Sequence, residues 1–144
     1  MFAKQLTVFV ENRTGRLAEV LEVLKESRVS ILSMSLADTT EFGLLRLMVD
    51  DPECGKEKLT ERGFSSLLTE VAIIKIAHEI GSLQGLLRLI ESHNANIEYM
   101  YGLSIEGKNA YVVLKATDMQ KVAEIFSANG ISTVSCEEIK GICK

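Results

Sequence analysis

The sequence predicts an α+β fold made of two consecutive β-α-β-β-α-β units, each an antiparallel sheet with its helices on one face. Three observations carry this expectation. Short β-rich runs are interleaved with stretches whose apolar residues recur at helical spacing, in the split order of a ferredoxin-like domain. The order then begins again. A shift that moves Gly15 onto Gly81 also moves Leu17, Val20, Leu21, Leu24 and Ile31 onto Leu83, Leu86, Leu87, Ile90 and Ile97, as an internal duplication would. Finally, 144 residues suffice for two small units, and no Pro-, Gly- or Ser-rich linker separates them. The units are expected at residues 1–72 and 73–144.

The elements follow in order. Leu6-Thr7-Val8-Phe9-Val10 is strand-like, and a polar turn leads to a helix whose apolar face is Leu17, Val20, Leu21 and Leu24. Residues 31–37 alternate apolar and small polar side chains, as a strand with one buried face does. Residues 38–43 carry turn chemistry, and residues 44–49 return as a second strand to close a hairpin. Asp51 is placed as the N-cap of the next helix, with Pro52 at its first position and Gly63 as its stop. Residues 67–76 are long enough for two short strands in succession.

In the second copy, residues 73–77 form the first strand and His78-Glu79-Ile80-Gly81-Ser82 the turn. This turn reads one residue shorter than the first when the strands before the two turns are aligned. A helix with Leu83, Leu86, Leu87 and Ile90 on its apolar face comes next. A strand through Tyr99 and Tyr101, a turn at Glu106-Gly107-Lys108-Asn109 and a strand over 110–115 then form the second hairpin. Thr117 or Asp118 caps the following helix, with Gln120 spaced for a capping box on Thr117. Asn129-Gly130 stops that helix, and a last strand is expected near residues 132–139.

Composition narrows the function. The proportions, 47% hydrophobic and 25% charged, are those of a soluble globular protein. A net charge of −4 offers no attraction to a phosphate backbone, and strand 44–49 has no exposed aromatics for bases to stack on, so no nucleic-acid partner is expected. No apolar run approaches the roughly 20 residues of a membrane span, and no membrane association is expected. Cys54, Cys136 and Cys143 form an odd set without C-x-x-C spacing or a secretion leader, which reads as reduced thiols in a cytoplasmic protein. No phosphate loop, nucleophile turn or metal-ligand spacing occurs, so no catalytic residue, cofactor or metal is expected. His93 is placed to oppose the negative end of a helix dipole, and His78 reads as a loop histidine.

Two features point to further burial of the sheets. Strand 44–49 is apolar on both sides, with Leu44 and Met48 opposite Leu45, Leu47 and Val49. Tyr99 and Tyr101 align with Ser33 and Ser35, on the other side from Leu32, Met34 and Leu36. Part of the outer face should therefore be covered, most simply by a second protomer, which predicts a homodimer.

The turn Asn12-Arg13-Thr14-Gly15-Arg16-Leu17 is the candidate ligand site. A tight strand-to-helix turn aims free N–H groups and the positive end of the helix dipole at one small volume, which suits a carboxylate. Gly15 permits close approach, and the Asn12 carbonyl can accept from an ammonium group. Asn12 and Thr14 would otherwise simply cap the helix.

This turn resembles that of the ACT domain, whose usual opening is a strand, Asp or Asn, a variable residue, Pro-Gly, another residue, and Leu. Thr14 stands here where proline is usual. Residues 29–35 are similar to the family's second strand. The resemblance covers about residues 4–72 and, more weakly, 73–140. It implies a regulatory module that binds an amino acid at an interface between domains, with Ser33, Met34 and Ser35 closing the pocket from a neighbouring unit. Glu79, Ile80, Gly81, Ser82 and Leu83 would be the second such site. The expected function is a non-catalytic amino-acid sensor that regulates a partner. The alternative is a ligand-free module docking on a metabolic enzyme.

Overall fold

The computed structural model describes residues 2–38 and 42–142. Thr39, Thr40 and Glu41 of the expected first hairpin turn, and Cys143, lie outside the described residues. The elements are β1 (Ala3–Glu11), α1 (Arg16–Glu26), β2 (Ile31–Asp38), β3 (Phe42–Val49), α2 (Pro52–Glu61), β4 (Ser66–Ala77), α3 (Ser82–Ser92), β5 (Ile97–Glu106), β6 (Asn109–Ala116), α4 (Met119–Ala128) and α5 (Cys136–Ile142). They form two compact units, one spanning Lys4–Thr69 and the other Glu70–Lys144 with Met1–Ala3.

In the unit of residues 4–69 the strands run β2-β3-β1, followed by the start of β4. Leu6 lies opposite Leu47 and Val8 opposite Leu45 in the antiparallel β1–β3 ladder. The Phe9 N–H donates to the Ser65 carbonyl at 3.0 Å, and the Thr7 and Thr69 hydroxyls meet at 3.1 Å. Alternation puts Leu6, Val8, Val10, Leu45, Leu47 and Val49 on one face, where they pack with Val20, Val23 and Leu24 of α1 and Leu59 of α2. Each such side chain contributes about 1.5–3 kcal/mol by leaving water. This apolar layer fixes the helices to one face and holds the β1–α1 turn at the sheet end.

The other unit repeats the plan with β4, β6 and β5 in that order. Ile74, Val112 and Leu114 face Leu86 and Ile90 of α3 and Val122, Ile125 and Phe126 of α4. The repetition extends to backbone detail. Arg28 and Asn94, 66 positions apart, both sit at φ 58°. Register irregularities occur between Ile31 and Ser33 and again between Ile97 and Tyr99. The Val29 N–H donates to the Leu24 carbonyl at 2.9 Å, and the Ala95 N–H to the Ile90 carbonyl at 3.3 Å.

Three expectations need correction. Residues 67–76 form one continuous strand within β4, not two. The last strand of the second copy is reduced to a single bridge between Ile74 and Thr133, after which α5 replaces it. The Ser135 hydroxyl accepts from the Glu138 N–H at 3.2 Å, starting that helix, and Ile139 is fully buried. Of the two caps expected for α4, Asp118 serves, accepting from the Lys121 N–H at 3.1 Å, but the capping box on Thr117 does not form; Thr117 accepts from the Asn96 amide. Ile73, Tyr111 and Val113, on the sheet face opposite Ile74, Val112 and Leu114, are also buried.

The N-cap of α2 is as expected: the Asp51 carboxylate accepts from the Cys54 N–H at 3.1 Å, with Pro52 in the first turn. Asp51→Ala should lower the unfolding free energy by about 1 kcal/mol in urea denaturation. An unchanged midpoint would mean that the cap contributes nothing to folding.

Candidate functional site

The β1–α1 turn is built around the backbone of Gly15. Gly15 is the N-cap of α1 at φ 89°, ψ −13°, a left-handed conformation that glycine adopts without steric cost. No side chain caps the helix, so Asn12 and Thr14 do not serve as its cap. The Arg13 N–H donates to the Glu11 carbonyl at 2.8 Å, the Arg16 N–H to the Arg13 carbonyl at 3.4 Å, and the Glu19 N–H to the Gly15 carbonyl at 3.0 Å. Among the described residues, none accepts from the N–H of Thr14, Gly15, Leu17 or Ala18. Four donors at a helix start remain available to an anion.

A cavity of about 300 Å³ lies beside this turn, lined by Val10, Glu11, Asn12, Arg13, Leu17, Leu36 and Gly43. β1 supplies Val10 and Glu11, α1 supplies Leu17, and the β2–β3 hairpin supplies Leu36 and Gly43. Its mouth is charged and its wall apolar. The Arg13 Nε donates to the Glu11 carboxylate at 2.9 Å; both side chains are well exposed, so this pair adds little to stability.

The expected site residues are thus only partly brought together. Asn12, Arg13 and Leu17 line the cavity, and Thr14 and Gly15 form the adjoining backbone. The Arg16 side chain turns elsewhere. Its guanidinium lies 4.2 Å from the centroid of the Phe64 ring, and its Nη1 donates to Glu19 at 2.7 Å. It lines a separate cavity with Phe9, Glu11, Phe42, Gly63 and Ser65. Ser33 and Ser35 pair with Met48 and Arg46, on the outer sheet face. Met34 and Leu36 pair with Leu47 and Leu45, on the helix-side face, and are 43% and 51% exposed.

Val10, Glu11, Leu36 and Gly43 were not expected to line the site, although Gly43 carried a signal. A glycine inside a strand marks a close approach, and a Cβ there would stand 3.2 Å from Leu36 Cδ1.

The second turn has the same backbone. Gly81 sits at φ 90°, ψ −13°, the Ser82 N–H donates to the Glu79 carbonyl at 3.2 Å, and the Gly85 N–H to the Gly81 carbonyl at 3.0 Å. Four residues separate strand from helix in both copies, so the second turn is not shorter than the first. Its side chains differ. Glu79 and Leu83 are exposed, Ile80 is fully exposed, and the neighbouring cavity of about 570 Å³ takes only Ser82 from this set.

Both histidines have local roles. The Leu89 carbonyl accepts from His93 Nδ1 at 2.9 Å at the end of α3, while His78 is exposed. Among the described residues, no helix is long and apolar enough to cross a membrane.

The sequence profile of the ACT domain pair matches residues 1–142. The crystal structure of protein BT0572 from Bacteroides thetaiotaomicron superposes with a TM-score of 0.90 at 31% identity, covering 96% of each chain. The ligand-free regulatory subunit of aspartate kinase from Thermus thermophilus superposes with a TM-score of 0.60 at 16% identity, over 87% of this chain and 91% of that one. Its counterpart from Thermus flavus gives 0.57 at 16% identity, over 85% and 92%. A search of curated proteins finds no match.

A Cβ at Gly15 or Gly81 would meet nothing within 4 Å, so only the backbone conformation resists substitution. Gly15→Ala and Gly81→Ala should each cost about 1–2 kcal/mol of stability in urea unfolding, from the left-handed φ alone. Equal midpoints for variant and parent would show that the turns are not held in this geometry.

Proposed function

Because the chain belongs to the ACT domain pair family, we propose that it is a non-catalytic sensor that binds a free amino acid at the β1–α1 turn and regulates a partner. The observation that carries this reading is the 300 Å³ cavity beside four unclaimed backbone donors. The donors suit an α-carboxylate. The Asn12 carbonyl and Glu11 suit an α-ammonium, and Val10, Leu17 and Leu36 suit an apolar side chain. Gly15 keeps the carboxylate seat free of a Cβ.

The site is completed, in this proposal, by a second protomer. Met34 and Leu36 lie exposed on β2, an edge strand of its sheet. A homodimer formed there would shield these side chains and bring the partner's second strand towards the turn. Ser33 and Ser35, on the opposite face, would then act in the interface and not in the cavity wall. Binding shifts regulation only through different affinities for two arrangements of the assembly. The proposed partner is a metabolic enzyme, and the proposed location is the cytoplasm. Glu79, Ile80, Gly81, Ser82 and Leu83 retain the backbone of an anion seat, but their side chains lack the counterparts of Asn12 and Thr14.

A thermal-shift screen of the twenty amino acids tests the proposal. A ligand at about a hundred times its dissociation constant should add roughly 2.7 kcal/mol of stability, and Asn12→Ala should abolish the shift while leaving the protein folded. No shift with any amino acid would favour a ligand-free docking module. Retention of the shift in Asn12→Ala would place the site elsewhere.

A further inference from the structure

Arg16 begins α1, yet its side chain does not lie free on the surface. It is only 16% exposed, although Thr14 and Gly15 just before it are exposed. The guanidinium lies 4.2 Å from the centroid of the buried Phe64 ring, and Nη1 donates to the Glu19 carboxylate at 2.7 Å. Phe64 is itself fixed by α2, because its N–H donates to the Leu59 carbonyl at 2.9 Å. The next carbonyl, that of Ser65, accepts from the Phe9 N–H of β1 at 3.0 Å. The segment between α2 and β4 therefore grips both sides of the turn, β1 through Ser65 and the first residue of α1 through Phe64.

Stability alone does not account for this arrangement. Arg16 Nε is buried without an acceptor among the described residues. A buried donor left unpartnered is costly, and a cation stacked on a ring returns a gain of comparable size. An aliphatic side chain would cover Phe64 without burying a donor. What the arginine adds is direction. A planar guanidinium, pinned on its face by a ring and at one nitrogen by a carboxylate, has one orientation, and so has the backbone that carries it.

That backbone is the candidate site. Arg16 stands between the two pairs of unclaimed donors, Thr14 and Gly15 before it and Leu17 and Ala18 after it. Its own N–H is engaged within the turn, donating to the Arg13 carbonyl at 3.4 Å. The two pairs can serve a single anion only while the turn and the start of the helix keep one relative orientation.

We propose that Arg16 is a positioning residue for the amino-acid site: its clamp on Phe64 and Glu19 holds the backbone donors in place before a ligand arrives. The inference rests on the reading that the β1–α1 turn binds an amino acid. The second copy supplies the contrast. Ser82, Gly85 and Ile131 stand there for Arg16, Glu19 and Phe64, the last matched by the bond from the Ile131 N–H to the Phe126 carbonyl at 2.9 Å. These three positions carry no cation, carboxylate or ring. The turn at Gly81 follows the same backbone path without this clamp.

The test titrates the full chain with each of the twenty protein amino acids in turn, reading the amides of Thr14, Gly15, Leu17 and Ala18. The tightest binder is then carried to the variants, at a temperature where each is fully folded. Arg16→Ala and Phe64→Leu should each weaken binding about tenfold. The double variant should lose no more than about tenfold, because the two residues act as one device. Arg16→Lys, which keeps a cation over the ring, should bind within about threefold of the parent. Phe64 does not line the turn cavity, so the loss in Phe64→Leu separates positioning from a direct contact between Arg16 and the ligand. If Phe64→Leu does not fold, Glu19→Ala replaces it, with an expected loss of about threefold. The proposal is overturned if the parent's turn amides respond but Arg16→Ala or the ring or carboxylate variant binds like the parent. It is also overturned if the losses multiply in the double variant, or if Arg16→Lys binds no better than Arg16→Ala. If no amino acid moves those amides in the parent, the reading of the turn itself fails, and this inference with it.

Discussion

The left-handed glycine at the start of α1, repeated at the start of α3, is the constraint on which the rest of the structure depends. At φ 89° and 90°, Gly15 and Gly81 turn the chain sharply from strand to helix. Leu17, Val20 and Leu24 can then fall back onto the sheet they have just left. An L-residue forced into the same conformation would pay for it in strain, and the helix would leave at another angle. The same geometry leaves the N–H groups of Thr14, Gly15, Leu17 and Ala18 without acceptors among the described residues. Fold and candidate site therefore have a common origin, because the backbone step that packs the helix also frees the donors of the candidate site.

Much of this was legible in the sequence because it is local. Helix faces at Leu17, Val20, Leu24 and Leu86, Ile90 follow from periodicity, and Asp51-Pro52 marks a helix start by chemistry confined to a few residues. The end of the chain shows the opposite case. Residues 132–139 carry enough β-branched and apolar residues to suggest a strand, but Ser135-Cys136-Glu137-Glu138 is also the spacing of a helix N-terminal box. The structure forms a helix there, with the Ser135 hydroxyl engaged by the Glu138 N–H. The local capping signal outweighed the compositional one, and only one bridge of the expected strand survives.

The candidate site was less legible, because its walls come from tertiary pairing. Leu36 and Gly43 reach the cavity through the register of the β2–β3 hairpin, which pairs Leu36 with Leu45 and Ala37 with Leu44. A register shift of one residue would put Ser35 there instead of Leu36. Arg16 belongs to the turn in sequence yet leaves the cavity, because a nearby aromatic ring and a carboxylate one helical turn away hold its guanidinium. Both copies keep the backbone of the turn, while the side chains around it have diverged.

The central claim is that the β1–α1 turn binds an amino acid through its free backbone donors. Backbone amide resonances of the full chain, followed during titration with the amino acid that stabilises it, test this most directly. The account predicts saturable shifts concentrated at Thr14, Gly15, Leu17 and Ala18, with the corresponding amides of Ile80, Gly81, Leu83 and Gln84 unmoved. Shifts that spare Thr14 to Ala18 while appearing elsewhere would contradict it.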